Sequence, residues 1–89
     1  MIKVVVRLYG IYKEAVGVNV LNENVAKGTT LGELLNLLAQ RYGKEFENLA
    51  SAESGALMIL SGKATRDLDQ RLEQEANVVL VPAVMGGMN

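Results

Sequence analysis

The sequence predicts an α+β domain, a mixed sheet with one main helix laid across one face. Three observations predict it. The chain opens and closes on β-branched apolar runs, Ile2 to Tyr9 and Val78 to Val81. Between them, Thr30 to Tyr42 has helical apolar spacing with a stop or start signal at each end. The whole chain is 89 residues, enough for one domain and too few for a catalytic domain plus a cofactor domain.

Ile2 to Tyr9 reads as a strand because Ile2, Val4, Val6 and Leu8 alternate onto one face. The other face carries Lys3, Val5, Arg7 and Tyr9, which suits a sheet covered on one side only. Gly10 and Gly17 bracket IYKEAV, a turn or a short irregular hairpin loop. Val18 to Ala26 is expected as a second strand at the sheet edge, although its three Asn residues are poor strand formers. Thr30-Leu31-Gly32-Glu33 forms a capping box, in which Thr30 caps the Glu33 N–H and the Glu33 carboxylate reaches back. Leu31, Leu34, Leu35, Leu38 and Tyr42 then make one stripe, and Gly43 stops the helix. Gly32, costly inside a first turn, points to close approach of the helix to the sheet.

Residues 44–56 have Phe46 and Leu49 as anchors but no firm period, so they read as a connector with one helical turn at most. Leu57 to Leu60 is a short apolar strand, and Ser61-Gly62-Lys63 turns the chain toward another. Asp67 to Asn77 is polar with Leu68 and Leu72 as isolated plugs; Arg66, Asp67, Asp69, Arg71, Glu73 and Glu75 read as a solvated loop. Val78 to Val81 ends at Pro82, where a strand margin belongs. First and last strands side by side, with one helix across them, describe a β-grasp domain over residues 1–83, followed by a flexible tail over 84–89. A ferredoxin-like fold would need a second substantial helix from residues 44–56.

Composition removes most chemistry. Nine Lys and Arg against ten Asp and Glu give a net charge of −1, no footprint for nucleic acid or an anionic membrane. The chain has no His and no Cys. A thiol nucleophile, a Ser-His-Asp set, a zinc site of the usual ligands and a disulfide framework are excluded together. Absence of Cys fits a reducing compartment. The start, MIKVVVR, is too short and interrupted for a signal peptide, and no apolar run approaches a membrane span, so the expected location is cytoplasmic.

The conspicuous feature is Gly86-Gly87 beside the C-terminus. Two residues without Cβ make a thin, flexible thread that enters a narrow channel where bulkier residues would not fit. A carboxylate on such a thread is deliverable into another protein's active site. The dipeptide alone fits a frayed terminus equally well.

MIKVVVRLYG at the start, TTLGELLNLLAQRYG in the middle and VVLVPAVMGG at the end resemble the ubiquitin-like sulfur-carrier proteins. The resemblance is nearest to the small subunit of molybdopterin synthase and more distant to the thiamine-pathway carrier. It covers essentially the whole chain, and the apolar strand, Pro82 and Gly86-Gly87 are its most specific part. It implies a β-grasp fold and a non-catalytic protein that binds no cofactor itself. It also implies that the Gly87 carboxylate is adenylated, with ATP, by an enzyme akin to ubiquitin-activating enzymes. A sulfur donor then converts it to a thiocarboxylate, which a synthase large subunit accepts. The tail residues that would insert are Pro82, Val84, Gly86 and Gly87, and the sheet face that would dock is Val5, Arg7, Val79 and Val81.

The chain departs from that pattern at two points. It continues past the second glycine with Met88-Asn89, and its docking face carries a charge at Arg7. Two extra residues move the carboxylate about 7 Å along an extended chain, so the expectation is that a peptidase cuts after Gly87. Two other functions fit the same features: a protein modifier joined to lysines through Gly87, and a β-grasp interaction module whose Gly-Gly is incidental.

Overall fold

The computed structural model describes residues 1–47, 49, 51 and 54–83. Five strands form one mixed sheet: β1 (Ile2–Leu8), β2 (Val20–Val25), β3 (Leu57–Leu60), β4 (Lys63–Ala64) and β5 (Ala76–Val81). Their spatial order is β2-β1-β5-β3-β4. β1 and β5 pair in parallel at the centre, with Val6 opposite Val78 and Leu8 opposite Leu80; every other pairing is antiparallel. The expected adjacency of first and last strands is what the molecule has, and β2 lies at the edge.

The main helix, α2 (Leu31–Tyr42), starts at the expected capping box: the Glu33 N–H donates to Thr30 Oγ1 at 3.2 Å and the Thr30 N–H to Glu33 Oε1 at 2.9 Å. It ends at Gly43, which has φ +126°. Leu31, Leu34, Leu35 and Leu38 bury its inner face against Val4, Val6, Leu8, Val78 and Leu80 in one apolar cluster. Met58, Phe46 and Leu49 join that cluster, the last two from the connector, whose regular part is a single 3₁₀ turn, Lys44–Phe46.

Four expectations need correction. The stretch between Gly10 and Gly17 is not a loop but a short helix, α1 (Gly10–Val16). Tyr12, Ala15 and Val16 fall at i, i+3 and i+4 and pack on the core, with the Tyr12 ring 5.5 Å from that of Phe46 between centroids. Gly17, at φ +96°, closes α1 by donating its N–H to Lys13 O at 2.8 Å. β2 is shorter than expected, because Val18 is exposed and outside the ladder.

Gly32 admits not the sheet but the chain around Leu68. A Cβ there would stand 3.1 Å from Leu68 Cβ and 3.2 Å from its carbonyl oxygen. The polar stretch after Asp67 is consequently not free loop over its whole length. Leu31 and Gly32 donate their N–H groups to Gln70 O at 2.8 Å and Leu68 O at 2.9 Å, satisfying two donors that a helix start leaves open. Leu72 N–H returns to Thr29 O at 2.8 Å, and Arg71 Nη1 donates to Gly28 O at 3.0 Å. Leu72 is buried by this crossing, whereas Leu68 stays exposed.

Candidate functional site

The helix covers one face of the sheet, and the strand alternation leaves the other open. On β1 the open-face residues are Lys3, Val5 and Arg7; on β5 they are Asn77, Val79 and Val81. The parallel register sets Arg7 opposite Val79 and Val5 opposite Asn77. The four residues expected to dock a partner, Val5, Arg7, Val79 and Val81, therefore share this face. The three valines are half-buried and Arg7 is exposed.

The patch reaches further than those four. β3 sets Ile59 opposite Val79 and Leu57 opposite Val81, so both side chains join the same face, Leu57 at 45% exposure. From β2, Val20 faces Arg7 across the ladder. Leu57 and Ile59 alternate with the buried Met58 and Leu60, but the run is short and apolar throughout, so the sequence carries no alternation to tell its two faces apart.

The electrostatics of the face are one-sided. Among the outward positions of β1, β2, β3 and β5, the charged residues are Lys3 and Arg7, and none is acidic. Arg7 makes no ion pair or side-chain hydrogen bond among the described residues. The Arg41 Nη1 to Glu23 Oε1 pair, at 2.8 Å, lies on the helix-covered side.

At the end of β5 the chain passes Pro82, which is half-buried against Gly10, and reaches Ala83 beside Gly55. The other expected tail residues, Val84, Gly86 and Gly87, lie outside the described residues, as does Met88-Asn89. On the helix side, an open groove of about 800 Å³ runs between α2, Phe46 and Leu68. Its charged lining among the described residues is Glu47 and Arg66. Among the described residues no three Asp or Glu side chains gather as a metal site. Of the described residues, the titratable group clearly moved is Tyr12, whose phenol burial pushes up from its ordinary value. This arrangement presents an open, largely apolar sheet face and a central strand whose chain continues to Pro82 and Ala83 at its end.

Comparison with solved structures finds the same fold in several proteins. A Pyrococcus furiosus protein, whose name proposes subunit 1 of a molybdopterin converting factor, is 18% identical with a TM-score of 0.80, over 94% of this chain and all of that one (100%). Small archaeal modifier protein 1 of Haloferax volcanii is 17% identical with a TM-score of 0.76, over 94% of this chain and 100% of its own. Urm1 of Trypanosoma brucei is 20% identical with a TM-score of 0.71, over 96% and 95%. Comparison with curated protein sequences gives no significant match. No helix among the described residues is long and apolar enough to cross a membrane. The profile of the ThiS family matches residues 6–87, from β1 through Gly86-Gly87. With four of the five strands, the end of β1 and both glycines inside that match, the chain belongs to the ThiS family of ubiquitin-like sulfur carriers, small non-catalytic proteins that are adenylated by enzymes akin to ubiquitin-activating enzymes.

Proposed function

We propose that this chain is the sulfur carrier of molybdenum or tungsten cofactor (molybdopterin) synthesis. The Gly87 carboxylate is adenylated with ATP, converted to a thiocarboxylate, and presented to a synthase large subunit, after a peptidase has removed Met88-Asn89. A free carboxylate is a poor electrophile, so the activating enzyme must supply the charge stabilisation that this chain lacks. The open sheet face, Val5, Arg7, Val79 and Val81 with Leu57 and Ile59, docks that enzyme, and the cationic rim at Lys3 and Arg7 calls for an acidic counterpart on it. Val84, Gly86 and Gly87, following Pro82, form the inserted thread.

The observation that carries the reading is the family match running through Gly87, the residue whose carboxylate the chemistry uses. The likeness to the Pyrococcus protein favours the molybdopterin branch. Intact-mass measurement on protein purified from its own cells tests it. A fraction with one carboxyl oxygen of a Gly87 terminus replaced by sulfur is the expected result. Ordinary carboxylate in every molecule, while the sulfur-donor system is active, would overturn it.

The likeness to small archaeal modifier protein 1 favours a second reading, in which the same adenylate ends in an isopeptide bond to lysines of other proteins. That reading expects a ladder of larger conjugates on immunoblots that disappears when Gly87 is deleted.

A further inference from the structure

The chain leaving the sheet passes between two residues that lack a Cβ. Gly10 lies at the turn from β1 into α1, with φ +58°; a Cβ there would stand 2.6 Å from Pro82 Cγ and 3.3 Å from its Cδ. Gly55 lies just before β3, with φ +68°, and a Cβ there would stand 2.9 Å from Ala83 Cβ. Both separations are closer than carbon atoms tolerate without movement. Each glycine is held by its surroundings. The Tyr9 N–H donates to Leu80 O at 3.2 Å, fixing the Gly10 turn on β5. Ser54 Oγ lies 2.8 Å from both Leu49 O and Ser51 O and accepts the Ala56 N–H at 3.1 Å, bracing the turn that holds Gly55.

We infer that Gly10 and Gly55 form a seat for Pro82 and Ala83, fixing where the reactive tail leaves the domain. The consequence for reactivity rests on the sulfur-carrier reading. In adenylation a Gly87 carboxylate oxygen attacks the α-phosphorus of ATP; an O–P bond forms, the bond to pyrophosphate breaks, and pyrophosphate leaves. From Ala83 to Gly87 is four residues, at most about 14 Å of extended chain. A domain docked by its sheet face has only that length to bring the oxygen to phosphorus; where a narrow channel draws the thread out there is no slack to absorb a shift, and displacement at Ala83 is carried to the reacting atoms. Misplacement of about 1 Å at a reacting centre can cost up to roughly 100-fold in rate. Gly10 and Gly55 are positioning residues in this scheme.

The test uses Gly55→Asn, since Asn tolerates positive φ while supplying the Cβ that collides with Ala83. The chain has no Cys, so a nitroxide on Val84→Cys labels the tail at one point. In the parent, relaxation enhancement should concentrate on amides around Gly10 and Gly55. It should spread in Gly55→Asn and return to the parent pattern in Gly55→Asn with Ala83→Gly, which removes the struck atom. Adenylation of the unlabelled proteins ending at Gly87 should show kcat down about tenfold in Gly55→Asn, KM within about twofold, and recovery in the double variant. Recovery of kcat without recovery of Tm separates positioning from mere stability. An enhancement pattern already diffuse in the parent, or one that Gly55→Asn leaves unaltered, overturns the seat. A parent that shows the localised pattern yet is never adenylated overturns the sulfur-carrier reading and leaves the seat standing.

Discussion

Leu35 lies on the inner face of α2, 5% exposed, among Leu31, Leu34 and Leu38. Leu35→Ala removes a packed isobutyl group and leaves a cavity, so chemical denaturation should show a loss of roughly 2–5 kcal/mol. A loss below about 1 kcal/mol would mean that α2 presents another face to the sheet. Tyr12 gives a pH-dependent counterpart. Burial raises its phenol above the ordinary 10.0, so the folded state holds the proton more tightly than the unfolded chain. The stability tied to the neutral phenol is complete below 10.0 and is lost as pH climbs from there through the folded-state value. Tyr12→Phe should flatten that alkaline decline in a pH series of melts; an unchanged slope would remove Tyr12 as its source. The core residues at regular spacing were legible one by one, since period two and period 3.6 place Val4, Val6, Leu8, Val78, Leu80 and the helix leucines on the buried side. Glu23 was not. Its alternation with Leu21 and Val25 points inward, but a carboxylate argues against burial, and the Arg41 that pairs it comes from a different element.

That pair joins the last turn of α2 to the edge strand β2. Glu23 is buried while Arg41 is half exposed, so solvent weakens the ion pair and the loss on breaking it comes mostly from stranding a buried carboxylate. Arg41→Ala should destabilise the fold by about 1–3 kcal/mol, and Glu23→Leu in the same chain should recover most of that, as replacing both members of a buried pair commonly does. No recovery in urea titrations would show that Arg41 acts through its methylenes rather than its charge. An inward-pointing charge on β2 also discourages a second sheet from adding to that edge. At this scale, elements with local signals were readable and elements stabilised by contact were not. The capping box and leucine stripe announce α2 at a length where periodicity is unmistakable. α1 is seven residues with no side-chain cap, too short to hold as an isolated helix, and exists because Tyr12 packs on Phe46. The crossing of residues 68–72 over the start of α2 rests on backbone bonds to Leu31, Gly32 and Thr29, which no side-chain pattern records.

Over the whole molecule, the central parallel pair β1 and β5 couples the two halves of the proposed function. The strand that forms the middle of the open face is also the one that leads into Pro82 and Ala83, after which the tail follows in sequence. The sequence held both halves at its two ends, which is why the face at Val5, Arg7, Val79 and Val81 was legible; its extension to Leu57 and Ile59 depends on β3 pairing with β5, a long-range choice. Under the proposed function the halves should separate kinetically. Docking by the face is made equally in ground and transition states, so its loss raises KM and leaves kcat alone. Arg7→Glu reverses the charge on an otherwise acid-free face and should raise KM for adenylation about tenfold, an effect that shrinks as salt screens it. Cutting the chain before Gly86 should do the opposite: the protein still competes for the activating enzyme, with an inhibition constant near the parent KM, and yields no adenylate. If Arg7→Glu lowers kcat instead, or the shortened chain fails to compete, then recognition runs through the thread and the open face has some other occupant.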